Sequence, residues 1–213
     1  MDAERLRETV ESAKATELER LGSNGLLIAV TDATPEPAAV LRAAADSEHA
    51  AHTTFAGWAD DAADAAAREL FAWLADRERD HRERVLDSLA ALDESHDPAD
   101  GGTMHGYLRA REDPVERVAA GTVGRCLVSE RTHRRIVSFF LDEGDGARAD
   151  LFRDLRAETD EELERGLALL DDACDGEDDW ERARMVAEYA IRVAHDDYAD
   201  ALRRTGIDVT PAR

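Results

Sequence analysis

Residues 71–86 read FAWLADRERDHRERVL, and this stretch decides the fold class of the chain. The apolar residues of the helix that contains it, from Phe71 through Leu74 to Leu89, recur at the spacing of an amphipathic α-helix. Glu78 and His81 lie within that apolar stripe, three positions apart, so one helical turn presents both to the buried side. A carboxylate in a core must be paired, protonated or bound to a metal, because leaving it unpaired costs several kcal/mol.

The Glu78 and His81 pair has two interpretations. An inward-facing Glu-x-x-His on a bundle helix is the pattern that places two ligands beside a metal. A slight rotation of the helix would instead bring both groups to solvent, as happens in many charged helices. The motif alone leaves both open.

Composition indicates the setting of the protein rather than its activity. The chain has 213 residues, 43% of them hydrophobic, which fits one domain with a sizeable core and appended helices. Its net charge of −22 argues against nucleic acid and anionic membranes as partners, and is typical of the acidic coat of a salt-saturated cytoplasm. No basic segment precedes an apolar one at the N-terminus, and no apolar run reaches the roughly 18 residues that span a bilayer, so we expect a cytoplasmic protein.

The hydrophobic pattern predicts an all-α protein. Residues 1–34 are expected to form a helical extension, although the run Leu26–Val30 is too short to classify. Residues 35–173 are expected to form a four-helix bundle, and residues 174–213 a fifth helix. The four bundle helices A to D are predicted at about 35–60, 64–93, 114–141 and 147–171. The segment 93–113 contains Pro98 and Gly101-Gly102, and its length suits a crossover along a bundle.

An internal repeat organises the bundle. Ser47-Glu48 of helix A recurs as Ser129-Glu130 of helix C, an offset of 82 residues. The other matches pair residues of similar character: Trp58 with Phe140, Phe55 with Val137, Phe71 with Phe152, and Leu74 with Leu155. Hairpin A–B therefore reads as duplicated in hairpin C–D, although amphipathic helices resemble one another easily. Two such hairpins can bury their apolar stripes against each other.

With a carboxylate on helix A, Glu-x-x-His on helix B, a long crossover and a carboxylate on helix C, the chain resembles the ferritin-like superfamily. Over about residues 38–172 it is similar to the rubrerythrin family. The resemblance implies a bundle that holds two iron or manganese ions between carboxylates and reacts with peroxide or oxygen, in oxidative-stress defence or iron handling. It also implies a possible non-haem di-iron oxidoreductase or peroxidase.

The resemblance assigns six metal ligands. Glu78 and Glu130 would bridge the two ions, and the full set is Glu48, Glu78, His81, Glu130, His133 and Glu162. Helix D departs from the family pattern, because Thr159 and Glu162 stand at its Glu-x-x-His positions. A small rotation of that helix would present Glu158 and Glu161 instead.

Further features of the chain bear on its partners. Cys126 and Cys174 form no Cys-x-x-Cys pair, so a rubredoxin-like domain is absent and electrons would come from an external donor protein. Helices A to D suffice for the bundle, which leaves the remaining helices free for a homodimer. The alternative function is a metal-free ferritin-like bundle that serves as a dimerisation or interaction module.

Overall fold

The computed structural model describes residues 1–99 and 101–206, and within them the chain is helical, with no strand. The predicted all-α class is therefore confirmed. The helices, in chain order, are α1 (Ala3–Ala13), α2 (Ala15–Leu21), α3 (Asn24–Val30), α4 (Pro37–Asp61), α5 (Ala65–Ala90), α6 (Thr103–Arg109), α7 (Pro114–Val118), a π-helical turn (Ala119–Gly124), α8 (Arg125–Asp142), α9 (Gly146–Ala173) and α10 (Glu177–Arg204).

Aspartate side chains start three of the helices that build the bundle. The carboxylates of Asp64, Asp113 and Asp145 each accept a hydrogen bond from a backbone N–H in the first turn of α5, α7 and α9. Such caps satisfy N–H groups that have no partner within the helix. Pro114 follows Asp113 at the first helical position, where its missing N–H costs nothing.

The bundle consists of two hairpins, α4 with α5 and α8 with α9, which correspond to the predicted helices A to D. The crossover between them contains α6, which the sequence pattern did not predict. This short helix buries Leu108 and His105 against its neighbours. The long connection thus contributes to the core instead of only running along the surface.

Aromatic pairs appear in both hairpins at positions that the repeat predicted. Phe140 stacks on Phe152 with ring centroids 5.9 Å apart, and Trp58 lies 5.2 Å from Phe71 in a tilted contact. These pairs belong to two separate apolar clusters. The polar site described below lies in the same bundle, and its residues belong to neither cluster.

Helix α10 joins the N-terminal helices to the bundle. It packs against the π-helical turn, α6, α3 and α2, and its buried face includes Ala187 and Ile191. Apolar residues of α1, α2 and α3 share one cluster with α10 and with α5. The predicted division at residues 34 and 173 stays a prediction. Within the described residues, none of the helices combines the length and the apolar character needed to cross a bilayer.

The π-helical turn at Ala119–Gly124 brings α10 close to the bundle and precedes Arg125 directly. A Cβ atom on Gly124 would lie 2.7 Å from the Ala187 carbonyl oxygen, which is too close for any side chain. A Cβ atom on Gly121 would lie 2.8 Å from the Trp58 ring. Glycine is therefore required where this turn touches its neighbours, and π-helical turns often mark functional sites.

Candidate metal centre

Polar side chains from all four bundle helices are buried between them. Five of the six predicted ligands are among them: Glu48 on α4, Glu78 and His81 on α5, His133 on α8 and Glu162 on α9. Each is at most 4% exposed. Burying three carboxylates together is costly unless cations or protons balance them, so the charges around this cluster decide what it can bind.

Glu48, Glu78 and His81 form the part of the cluster that suits a metal ion. One donor atom of each lies within 4.8 Å of the others. His81 Nδ1 is 3.9 Å from Glu48 Oε2 and 3.7 Å from Glu78 Oε2. Donors about 2.0–2.2 Å from a shared ion are separated by roughly 3 to 4 Å, so these spacings fit one ion.

Glu158 fixes the orientation of the His81 ring. Its Oε2 lies 2.7 Å from His81 Nε2, and it also pairs with Arg77 and Arg84. A carboxylate in this position accepts a hydrogen bond from Nε2–H and directs Nδ1 towards the cluster. His81 Nδ1 is buried and has no hydrogen-bond partner among the described residues. A nitrogen donor is therefore presented beside Glu48 and Glu78.

His133 holds the other oxygen of Glu48. Its Nε2 lies 3.2 Å from Glu48 Oε1, across the bundle from α8 to α4. Glu48 Oε1 is thus engaged by an imidazole, while Oε2 faces His81. His133 acts on the cluster through Glu48 in this geometry.

Arg125 occupies the other side of the cluster. Its Nη1 lies 2.7 Å from Glu78 Oε1, and its Nη2 pairs with Glu162 Oε2. The Nη1 contact is an ion pair and not an aligned hydrogen bond, because Glu78 Oε1 has no hydrogen-bond partner with suitable angles. Arg125 Nε donates to the Gly121 carbonyl oxygen at 3.0 Å, and the side chain is buried. One guanidinium therefore lies between the carboxylates of α5 and α9.

The pKa values follow from these contacts. Burial raises the pKa of Glu48, but the hydrogen bond and charge interaction with His133 outweigh burial and lower it to about 2. Burial lowers the pKa of His81, but Glu78 and Glu48 raise it to about 9. Burial and the charge of Glu78 raise the pKa of Glu162 to about 7, against the opposing effect of Arg125. With a pKa of about 9, His81 is protonated at neutral pH, so a metal ion that binds its nitrogen must displace a proton.

The structure does not bring Glu130 into the cluster. Its carboxylate pairs with Arg131 and lies 3.3 Å from Arg156 Nε. These two arginines hold it at the edge of the bundle, away from the donors of Glu48, Glu78 and His81.

The helical spacing counted from Phe152 and Leu155 predicted that Thr159 and Glu162 face the interior of the bundle. Both residues are buried on α9. Glu161 faces solvent, and Thr159 donates to the Leu155 carbonyl oxygen. Glu158 is partly exposed and still reaches His81. The alternative rotation of this helix is therefore not the one found.

Three donor atoms of the cluster fit one metal ion. The unpartnered oxygen Glu78 Oε2 and the unpartnered nitrogen His81 Nδ1 face the same point as Glu48 Oε2. Carboxylate and imidazole donors suit iron and manganese. On the opposite side of Glu78, the Arg125 guanidinium takes the space and the charge that a second ion would need.

A cavity leads from the surface to this site. It has a volume of about 370 Å³ and is lined mainly by apolar residues of α3, α4, α8 and α10, such as Leu27, Ala44 and Ala194. Glu48 and His133 lie in its buried part. Its size is within the range of sites that admit small molecules.

Comparison with known proteins supports the fold and covers the first hairpin. Residues 39–120 match the family model described as Rubrerythrin. With the two helical hairpins, this match shows a ferritin-like bundle, and the matched segment carries Glu48, Glu78 and His81. Arg125, His133 and Glu162 lie beyond it. No curated protein and no solved structure matched the chain.

Sequence reasoning missed Arg125 and gave Glu158 no role at His81. Arg125 is a lone charge in the run VAAGTVGRCLV, residues 118–128. A single arginine in such an apolar run needs a buried carboxylate as its partner, and that signal was available. Glu158 carried no such signal, because its contact with His81 depends on the packing of α5 against α9.

Proposed function

We propose that this protein binds iron or manganese at Glu48, Glu78 and His81 and uses it in a reaction with peroxide or oxygen. The observation that supports the proposal is the convergence of two carboxylates and an unpartnered imidazole nitrogen on one buried point. A bound ion of this kind supplies one-electron redox chemistry.

The chain's own groups have distinct tasks in this proposal. Glu158 holds His81 so that Nδ1 faces the ion, and His133 holds Glu48. The apolar cavity admits a small oxidant and limits the access of water. Reducing equivalents come from a separate donor protein, because the two cysteines are far apart in the sequence and form no electron-transfer motif.

A second candidate is a metal-free bundle that acts as an interaction module. One observation favours it: the Arg125 guanidinium already neutralises part of the charge of Glu78 and Glu162 without an ion. Metal analysis of the purified protein separates the two candidates.

The test is metal analysis of the full chain purified without chelator, followed by stopped-flow mixing of the Fe(II)-loaded protein with peroxide. The proposal predicts bound iron or manganese and oxidation of the iron on mixing. Variants Glu48→Gln and His81→Ala should lose the metal. Glu130→Gln is the matched control, since that carboxylate lies outside the cluster, and it should keep the metal. A metal-free wild-type protein that also takes up no added Fe(II) or Mn(II) would overturn the proposal and favour the second candidate.

A further inference from the structure

We infer that the site takes a single ion, because the Arg125 guanidinium stands where a dinuclear centre would hold its second cation. This inference rests on the proposed function and specifies the metal content of the same site. The resemblance to the rubrerythrin family implied two ions, and this inference replaces that expectation with one.

The two oxygens of Glu78 face different partners. Oε1 lies 2.7 Å from Arg125 Nη1, and Oε2 lies 3.7 Å from His81 Nδ1 on the side of Glu48. A carboxylate that bridges two cations has this arrangement, with one oxygen for each. Here one of the two cations is the guanidinium, and the remaining oxygen serves one ion.

The charges of the buried groups also favour one ion. Glu48, Glu78 and Glu162 carry three negative charges when ionised, and all three are buried. One divalent ion and one guanidinium carry three positive charges, which balances them. Two divalent ions with the guanidinium would carry five, and an excess of two buried positive charges is strongly unfavourable.

Arg125 is held in place and cannot make room for a second ion by a simple rotation. Its Nε donates to Gly121 in the π-helical turn, and its guanidinium carbon lies 5.1 Å from the centre of the Phe55 ring. The side chain is 3% exposed. Moving the guanidinium to solvent would break these contacts and leave Glu162 Oε2 buried with only the weak Cys126 thiol donor, at 3.8 Å.

The test titrates the metal-free full chain with Mn(II), removes unbound ion by gel filtration and measures manganese per chain. Electron paramagnetic resonance of the bound manganese distinguishes an isolated ion from a spin-coupled pair. The inference predicts one isolated ion per chain for the wild type and for Arg125→Lys, which keeps the charge. Arg125→Glu supplies a fourth carboxylate and removes the guanidinium, and should bind two coupled ions.

The outcomes separate this inference from the proposed function. Two coupled ions in the wild type would overturn the inference and leave the proposed function standing. No ion in the wild type, whatever the variants bind, would overturn both. A folded Arg125→Glu protein that binds only one ion would overturn the role given to Arg125. If Arg125→Glu does not fold, the ion count and the resonance spectrum of the wild type still decide.

Discussion

At the level of single residues, Glu158 determines which nitrogen of His81 faces the candidate ion. It is a partly exposed carboxylate on α9, held by Arg77 and Arg84. Within the described part of the chain, His81 is the one residue of the cluster that it contacts. Its effect on a metal would therefore act through the orientation of His81.

We predict that Glu158→Ala weakens Mn(II) binding by roughly 10- to 100-fold, the usual effect of removing the partner of a ligand histidine. The measurement is a competition titration against a chelating dye. Glu161→Ala is the control, because Glu161 lies three residues on, pairs with Arg77 and faces solvent. Equal affinities in the two variants would contradict the positioning role of Glu158.

His105 links stability to pH. Burial and the nearby charge of Arg125 lower the pKa of this histidine to about 3. The folded chain keeps His105 neutral, while the unfolded chain protonates it below its ordinary pKa of about 6.5. Its contribution to stability is therefore fully present above about pH 6.5 and is lost as the pH falls from there towards 3.

We predict that lowering the pH from 7 to 5 costs the wild type about 2 kcal/mol more unfolding free energy than it costs His105→Leu. Urea unfolding of both proteins at fixed salt measures this difference, and the comparison cancels the other titrating groups. A parallel loss in both proteins would show that His105 is not kept neutral by the fold.

How far the sequence predicted the site depends on the residue. Glu48, Glu78 and His81 were predicted to face the interior because a polar group in an apolar stripe at helical spacing has few explanations, and the structure buries all three. Glu162 was predicted to face the interior because the helical spacing set by Phe152 and Leu155 continues through α9. Glu130 was assigned by the repeat and by the family resemblance, but its arginine neighbours hold it outside the cluster. The spacing of apolar residues along a helix does not show which arginine side chains will compete with a metal site for a carboxylate.

At the level of elements, the π-helical turn is where the sequence pattern was least informative. Helix α8 was predicted as one continuous helix with α7, and the extra width of residues 119–124 has no signature in the apolar spacing. In the sequence, Gly121 and Gly124 are the sign that neighbouring helices approach the backbone closely at this turn. Helices α4, α5 and α9 were predicted almost to their ends, because long amphipathic runs specify them locally. Asp64 and Asp145 also cap α5 and α9, whereas α4 begins at Pro37 without a side-chain cap.

We predict that Gly124→Ala destabilises the protein by about 1–3 kcal/mol, since the new Cβ meets Ala187 and the backbone must shift. Gly57→Ala provides the control. Gly57 lies in the last turns of α4 with no atom within 4 Å of its Cβ position, so alanine there should stabilise by roughly 0.5–1 kcal/mol. Urea unfolding of both variants measures the two effects, and the same sign in both would contradict the close packing of α10 on the turn.

At the level of the whole molecule, the cavity connects the site to the surface. It lies where α10 and the N-terminal helix α3 meet the bundle, so helices outside the four-helix core form part of its wall. From the sequence, these helices were predicted only to take part in self-association. The cavity could not be predicted, because it arises from the way separate elements pack.

We predict that Ala194→Trp slows the oxidation of bound Fe(II) by peroxide roughly tenfold, equivalent to about 1.4 kcal/mol in activation free energy. Ala194 lines the cavity from α10, and the indole would narrow the route to Glu48 without touching a ligand. Ala72→Trp, on the exposed face of α5, is the control and should leave the rate unchanged. An unchanged rate in Ala194→Trp, with equal metal content, would show that oxidant arrives by another route.

The most direct test of the metal site is anomalous diffraction from crystals of the full chain soaked in Mn(II). One peak is predicted at the point shared by Glu48 Oε2, Glu78 Oε2 and His81 Nδ1, with the Arg125 guanidinium still between Glu78 and Glu162. No peak at that point, with the crystals saturated in manganese, would contradict the assignment of the cluster as a metal site.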